Sequence, residues 1–241
     1  MTRKNLFILA IVVLLANMIM PAGTKTIFED DFSGGKLDKN WVLVPGAGKI
    51  ELTKDKPPEY GPDVMNIDSP SGNTLAFVKE IDVKFTDGII EILWIDTRLP
   101  EDVDGPLVAR AQSMDEAGFN QSYLIEWDTD TGLHLDILGG TGVQDPKGSM
   151  SEGDWVWLKF WLEGNELKIK GWKAGEAEPK KWTLEWEDSA KTYESGAVGL
   201  RAWSGGAHVA FFRVTDLEGP SAVEPQDKVS VTWGKIKRDS P

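Results

Sequence analysis

Turn-forming clusters cut this sequence into pieces too short for long helices. They stand at PGAG (45–48), SPSGN (69–73), TDG (86–88), DTDTG (128–132), GGTG (139–142), EGN (163–165) and SGGA (204–207). Glycine permits the left-handed backbone that tight turns need, and proline presets the first turn position. From residue 26 onward no long amphipathic helical pattern runs between these breaks. Short runs at near-regular spacing between such signals predict an all-β sandwich or barrel.

Several runs alternate with period two. In 80–85, Ile81, Val83 and Phe85 take one face and Glu80, Asp82 and Lys84 the other, which predicts a half-buried strand. In 133–137, Leu133, Leu135 and Ile137 oppose His134 and Asp136, and DTDTG before them reads as a hairpin turn. In 182–186, Trp182, Leu184 and Trp186 oppose Thr183 and Glu185. WVWLKFWL (155–162) differs because both faces are apolar: Val156, Leu158, Phe160 and Leu162 on one, Trp155, Trp157, Lys159 and Trp161 on the other. A central strand covered on both sides reads this way. So does a strand with one face in the core and the other lining an aromatic groove.

A chain of 241 residues is long enough for one large β domain. It has no cysteine, so its core holds without disulfides, and thiol catalysis and cysteine-ligated zinc are excluded. Arg3 and Lys4 precede an apolar run, Leu6 to Met20, and Ala22 and Gly23 follow it. That run is 15 residues, shorter than the ~20 a spanning helix needs, and it reads as a signal peptide over residues 1–23. The expected location is secreted, periplasmic or cell-surface, with membrane contact only through this segment. Its removal takes the net charge from −13 to −15, which sets nucleic acid and anionic membrane surfaces aside as partners. Residues 24–218 form the expected domain. Residues 219–241 are read as a linker and tail, polar at first and then with an apolar patch at Val229, Val231 and Trp233.

A succession of segments carries a resemblance. EDDFSGGKLDKNW, FTDGIIEILW, VARAQSMDEAGFNQSYLIEW, GDWVWLKFWLEGNELKIKGW, PKKWTLEWED and GAVGLRAWSGGAHVAFFRVTDL follow one another in that order. Over about residues 27–217 the chain resembles the concanavalin A-like lectin/glucanase jelly roll, with laminin-G-like and sugar-active domains of secreted bacterial proteins as kin. The resemblance implies a two-sheet antiparallel sandwich whose ligands lie on the concave sheet or its rim loops. The fold serves glycosidases, lyases, lectins, carbohydrate-binding modules and adhesion domains alike, so it does not choose among functions. It also implies a structural calcium near the start of the domain, where Asp30 and Asp31 would supply carboxylates.

VKEIDVKFTD (78–87) is similar to the Glu-Ile-Asp-x-Glu strand of β-glucan hydrolases, but Lys84 stands where the second glutamate belongs. A retaining glycosidase needs two carboxyls about 5–5.5 Å apart, and an ammonium cannot replace one. In EILWID (91–96), Glu91 and Asp96 fail on register, because they face opposite ways. DTDTG opens like an EF-hand loop, yet Gly132, Leu133 and Gly139 occupy places that need an acid or amide, a glycine and a glutamate. EDVDG (101–105) reads as a solvated acidic loop. No catalytic residue is therefore assigned.

The candidate binding set is Arg110, Gln112, Glu126, Trp127, Trp172, Arg201 and Trp203. Alternation puts Val108, Arg110 and Gln112 on one face, and Arg201 and Trp203 on another. Flat aromatic rings stack on pyranose C–H faces, and charged or amide groups make directed hydrogen bonds to hydroxyls. His134 and His208 read as ordinary or internally satisfied histidines, and no G-x-S-x-G or phosphate-binding loop is present. The expected function is non-catalytic binding of a glycan or cell-surface polysaccharide, or adhesion, by a monomer without cofactor. One alternative is a glycosidase using carboxylates from different strands, such as Glu126, Asp128 or Asp136. Another is a structural surface protein that attaches through its C-terminal tail.

Overall fold

The computed structural model describes residues 25–97, 106–127, 132–140 and 153–217. The 1–23 segment, Asp128, EDVDG and the tail from 219 lie outside them. Among the described residues the regular structure is fourteen strands and one short helix, α1 (Glu116–Phe119). The expectation of an all-β, two-sheet antiparallel sandwich holds.

The eight-stranded sheet runs β12 (Leu184–Glu187), β11 (Glu166–Lys173), β10 (Val156–Glu163), β6 (Gly88–Asp96), β14 (Gly206–Thr215), β4 (Asp63–Asp68), β3 (Lys49–Lys54), and β1 (Thr26–Asp30) also pairs with β14. The six-stranded sheet runs β2 (Trp41–Val44), β5 (Asn73–Val78), β13 (Ala197–Trp203), β7 (Pro106–Ala111), β8 (Tyr123–Trp127), β9 (Leu133–Ile137). The core lies between them. Ile90, Ile92 and Trp94 of β6 meet Leu107, Ile125, Leu135 and Leu200 of the other sheet. Fully burying one such aliphatic side chain is worth roughly 1.5–3 kcal/mol.

The twin apolar faces of 155–162 belong to a central strand. β10 lies between β6 and β11, with Val156, Leu158, Phe160 and Leu162 in the core. Its other face joins a second layer in which Trp172, Trp157, Leu93 and Phe211 form a row across four strands. Tyr60 closes over this row, stacked on Phe211 at 4.8 Å, while Trp172 stacks on Trp157 at 5.9 Å. The adjacent row is charged: Lys170, Lys159, Glu91, Arg213 and Glu29 are successive cross-strand neighbours. At the sheet's edge, β12 buries Leu184 and leaves Trp186 exposed.

Residues 80–85 depart from the strand expectation. β5 ends at Val78, and the chain turns over on itself through bonds from Ile81 N to Val78 O, Asp82 N to Lys79 O and Lys84 N to Ile81 O. Asp82 takes φ +53°. Ile81 and Phe85 are both buried, and a separation of four residues suits a helical turn as well as a strand. Glu80 and Lys84 are exposed and line no cleft, so the broken hydrolase motif lies on a turn.

Candidate functional site

The outer face of the six-stranded sheet is closed at one end and open at the other. At the closed end Leu75, Phe77, Val108 and Leu124 pack under Phe119, Met114 and Val83. α1 holds that cover in place: Asp115 caps it by accepting from Gly118 N at 2.8 Å, and Ser113 Oγ donates to the same carboxylate.

At the open end a polar row crosses the sheet. Glu126 on β8 faces His134 on β9 in register, and Pro106 of β7 faces Glu126 on its other side. Proline has no long side chain, so Arg201 of β13 reaches past it and its Nη1 donates to Glu126 Oε1. Arg201 Nε donates to Asn73 Oδ1 at 2.9 Å. Glu126 Oε2 lies 2.8 Å from His134 Nε2, and His134 Nδ1 lies 3.0 Å from Gly132 O. A carbonyl only accepts, so Nδ1 donates to Gly132 O, and Nε2 lies against the Glu126 carboxylate. Glu126, His134 and Arg201 are 5%, 7% and 5% exposed, so this is a buried, mutually paired set.

Trp203 stands beside it, 42% exposed. The Arg201 guanidinium lies 5.2 Å from its ring centroid and 5.5 Å from that of Phe119, so the arginine is held between two aromatic rings. Gly72, Asn73, Asn120, Asp136 and Leu138 complete the lining of an open depression of about 360 Å³. Burial pushes the Asp136 carboxyl above its ordinary range, and the nearby Glu126 charge adds to this. Ligand-capable atoms of Glu126, His134 and Asp136 lie within 4.8 Å of one another, a spacing that suits a divalent ion. In this structure both Glu126 oxygens are taken by Arg201 and His134.

Of the predicted residues, Arg201, Trp203 and Glu126 come together here, and Gln112, Trp127, Trp172 and Arg110 do not. Trp127 turns toward the core, and its ring lies so close to Gly171 that a β-carbon there would collide with it. Trp172 belongs to the opposite sheet's outer layer. Gln112 donates to Arg110 O and Ser195 O and joins two loops. Asp30 accepts from Phe32 N and from Trp41 Nε1 of β2, and Asp31 accepts from Ser33 N and Oγ. Asn73 and Phe119 carry no signal in the sequence, while His134, expected to be ordinary or internally satisfied, is satisfied here by Glu126 and Gly132 O. Antiparallel pairing of β8 with β9 sets Glu126 opposite His134, while the DTDTG turn expected between them lies largely outside the described residues.

Arg110 does not share a face with Val108 and Gln112. β7 bulges against β13, where Ala111 faces Ala197 and Val108 faces Gly199. Arg110 takes φ +52°, and Gly196 allows the close approach, since a β-carbon there would collide with the Arg110 backbone. The side chain therefore swings to the end of the sandwich, 1% exposed, and donates to the carbonyls of Thr86, Gly164 and Tyr193. It is a clamp on three loops.

Beside it Tyr123 Oη donates to Asp188 Oδ2 at 2.6 Å. Burial pushes the Asp188 carboxyl up, but bonds from Tyr123, Thr192 N and Ala190 N outweigh this and hold it below its ordinary 3.8. A carboxylate depressed by folding adds stability above its unfolded pKa, and that contribution disappears as pH falls through the folded pKa. The melting temperature of the wild type is expected to fall more steeply than that of Asp188→Asn below about pH 4. Parallel melting curves would remove Asp188 from the acid-labile groups.

No protein-family model matches the chain, and no curated protein does. Solved structures do match. Lectin II from Ulex europaeus superposes with a TM-score of 0.52 at 12% identity, over 79% of this chain and 98% of that one. The GH43 protein BlXynB from Bacillus licheniformis gives 0.55 at 12% identity, over 78% of this chain and 39% of that one. The apo Crh5 transglycosylase gives 0.53 at 11% identity, over 82% and 86%. The chain has the concanavalin A-like jelly-roll β-sandwich fold.

Proposed function

We propose that the domain binds carbohydrate without cleaving it, on the open end of the six-stranded sheet's outer face, with Trp203 as the stacking platform. The observation that carries this reading is the exposed Trp203 ring, which lines a depression beside the buried Phe119–Arg201–Glu126–His134 assembly. A sugar site needs an apolar flat surface beside fixed polar groups, and a platform already ordered before binding spends little affinity on ordering. Lectins and sugar-processing enzymes both occur among the matching structures, so the fold is compatible with this reading without selecting it. The apolar run Leu6–Met20 supports export as the route by which the domain reaches such a ligand.

The test is native gel retardation by a panel of polysaccharides, with new reducing ends assayed in the same mixtures. Trp203→Ala is expected to weaken retardation at least about fivefold, in line with about 1–3 kcal/mol for an exposed stacking ring. Its melting temperature should stay near that of the wild type, because the ring is already solvated. Unchanged retardation would move the site elsewhere.

The hydrolase reading rests on the Glu126–Asp136 pair and the raised Asp136 pKa. It is disfavoured because Glu126 is 5% exposed and both its oxygens already meet Arg201 and His134, which turns the carboxylate toward its own partners. Release of reducing ends, abolished in Asp136→Asn, would establish it instead.

A further inference from the structure

We infer that the ligand of this face is an uncharged glycan and that acidic polysaccharides are excluded; this rests on the carbohydrate reading above. Among the described residues lining the depression, Arg201 is the only cation. Recognition of a carboxylate or sulfate by arginine uses the guanidinium edge, with two parallel donors. Here two of its donors are already committed, Nη1 to Glu126 and Nε to Asn73, its charge is met by the Glu126 carboxylate, and Phe119 and Trp203 lie against the guanidinium.

What remains around the depression is acid and amide. Asp136 lines it, Glu126 lies within ligand-sharing distance of Asp136, and Glu116 approaches Asn73 Nδ2 at 3.5 Å. A charged sugar would give up its hydration opposite like charges, whereas a hydroxyl can donate to a carboxyl and both donate to and accept from an amide. Asn73 and Asn120 supply those amides, and Trp203 supplies the flat face. The net charge of −13 opposes anionic polymers at longer range in the same direction.

The purified full chain is run through native gels containing galactomannan, xyloglucan or β-1,3-glucan, and through gels containing polygalacturonate or alginate, at low and moderate salt. At least one neutral polymer is expected to retard it, and neither acidic polymer at either salt. Asp136→Asn should raise affinity for an acidic polymer about fivefold at low salt, the effect of one charge a few ångströms away in water. Retardation by an acidic polymer equal to or stronger than by the neutral ones overturns the inference. So does an Asp136→Asn variant that binds acidic polymers no better than the wild type. If Trp203→Ala abolishes binding to neutral and acidic polymers alike, the carbohydrate reading survives and the charge selectivity falls. If no polymer in the panel retards the chain, both fall.

Discussion

Arg110→Ala is expected to lower the folding free energy by about 3–5 kcal/mol, the range for removing one partner from a buried charged network. The guanidinium closes one end of the sandwich by donating to Thr86 O, Gly164 O and Tyr193 O and pairing with Asp87 at 3.3 Å. Burial pulls its pKa down, yet arginine keeps its proton, and Tyr123, Asp87 and Asp188 favour the charged form against that burial. Truncation leaves the buried Tyr193 carbonyl without its Arg110 donor and a void beside the Tyr123 ring, over which the guanidinium carbon lies at 5.9 Å. Alanine at φ +52° also keeps the backbone strain while losing the bonds that offset it. Urea unfolding monitored by tryptophan fluorescence measures the loss through the midpoint at constant slope. Total stability for such a domain is about 5–15 kcal/mol, so the variant sits near the unfolding threshold. A loss below about 1 kcal/mol would show that loop contacts, and not Arg110, hold this end.

Glu91→Ala is expected to be comparably damaging, at about 3–5 kcal/mol, on the opposite sheet. Glu91 is 2% exposed at the centre of the charged row. Its Oε1 lies 2.7 Å from Lys159 Nζ, and its Oε2 accepts from Arg213 Nε at 2.9 Å and from Nη2. Without it Arg213 and Lys159 face each other across β6, with Glu178 left to neutralise Lys159 and Lys170, and the half-exposed Glu29 left to Arg213. Glu91→Gln removes the charge but keeps an acceptor, so it should lose less than Ala. The ordering Ala worse than Gln worse than wild type, in urea midpoints, divides the loss: the Gln deficit measures the missing charge and the further Ala deficit the missing acceptor and volume. Equal losses for Ala and Gln would assign the whole effect to the missing negative charge. Losses below about 1 kcal/mol for both would mean the row is hydrated enough to rearrange.

How much of the site could be read beforehand depends on what each residue's role requires. Arg201 and Trp203 are two apart on one strand, so alternation alone aligned them, and the structure keeps them on one face. Glu126 was found for its chemistry, and its partner His134 was within reach through the hairpin register. Arg110 was misplaced because alternation fails at a bulge, and nothing in VARAQ announces the extra residue. Trp172 was grouped with Trp203 although they lie on opposite sheets, because a flat aromatic ring looks the same in sequence wherever it lies. Glu80, Asp82 and Lys84 were read as a strand because Ile81 and Phe85, four apart, satisfy both periods.

The sequence by itself determined the fold class, most strand faces, the β8–β9 hairpin and the exclusion of thiol chemistry. These follow from local facts: period-two burial, turn residues and the absence of cysteine. Only the tertiary structure decided that Glu91 lies between Lys159 and Arg213, that Arg201 reaches Glu126 past Pro106, and that Arg110 is a clamp. In a sandwich of this topology lateral neighbours come from strands far apart along the chain. The order in which strands are laid side by side, and the bulge that turns a side chain over, are settled by packing across the two sheets and leave no mark on either strand alone.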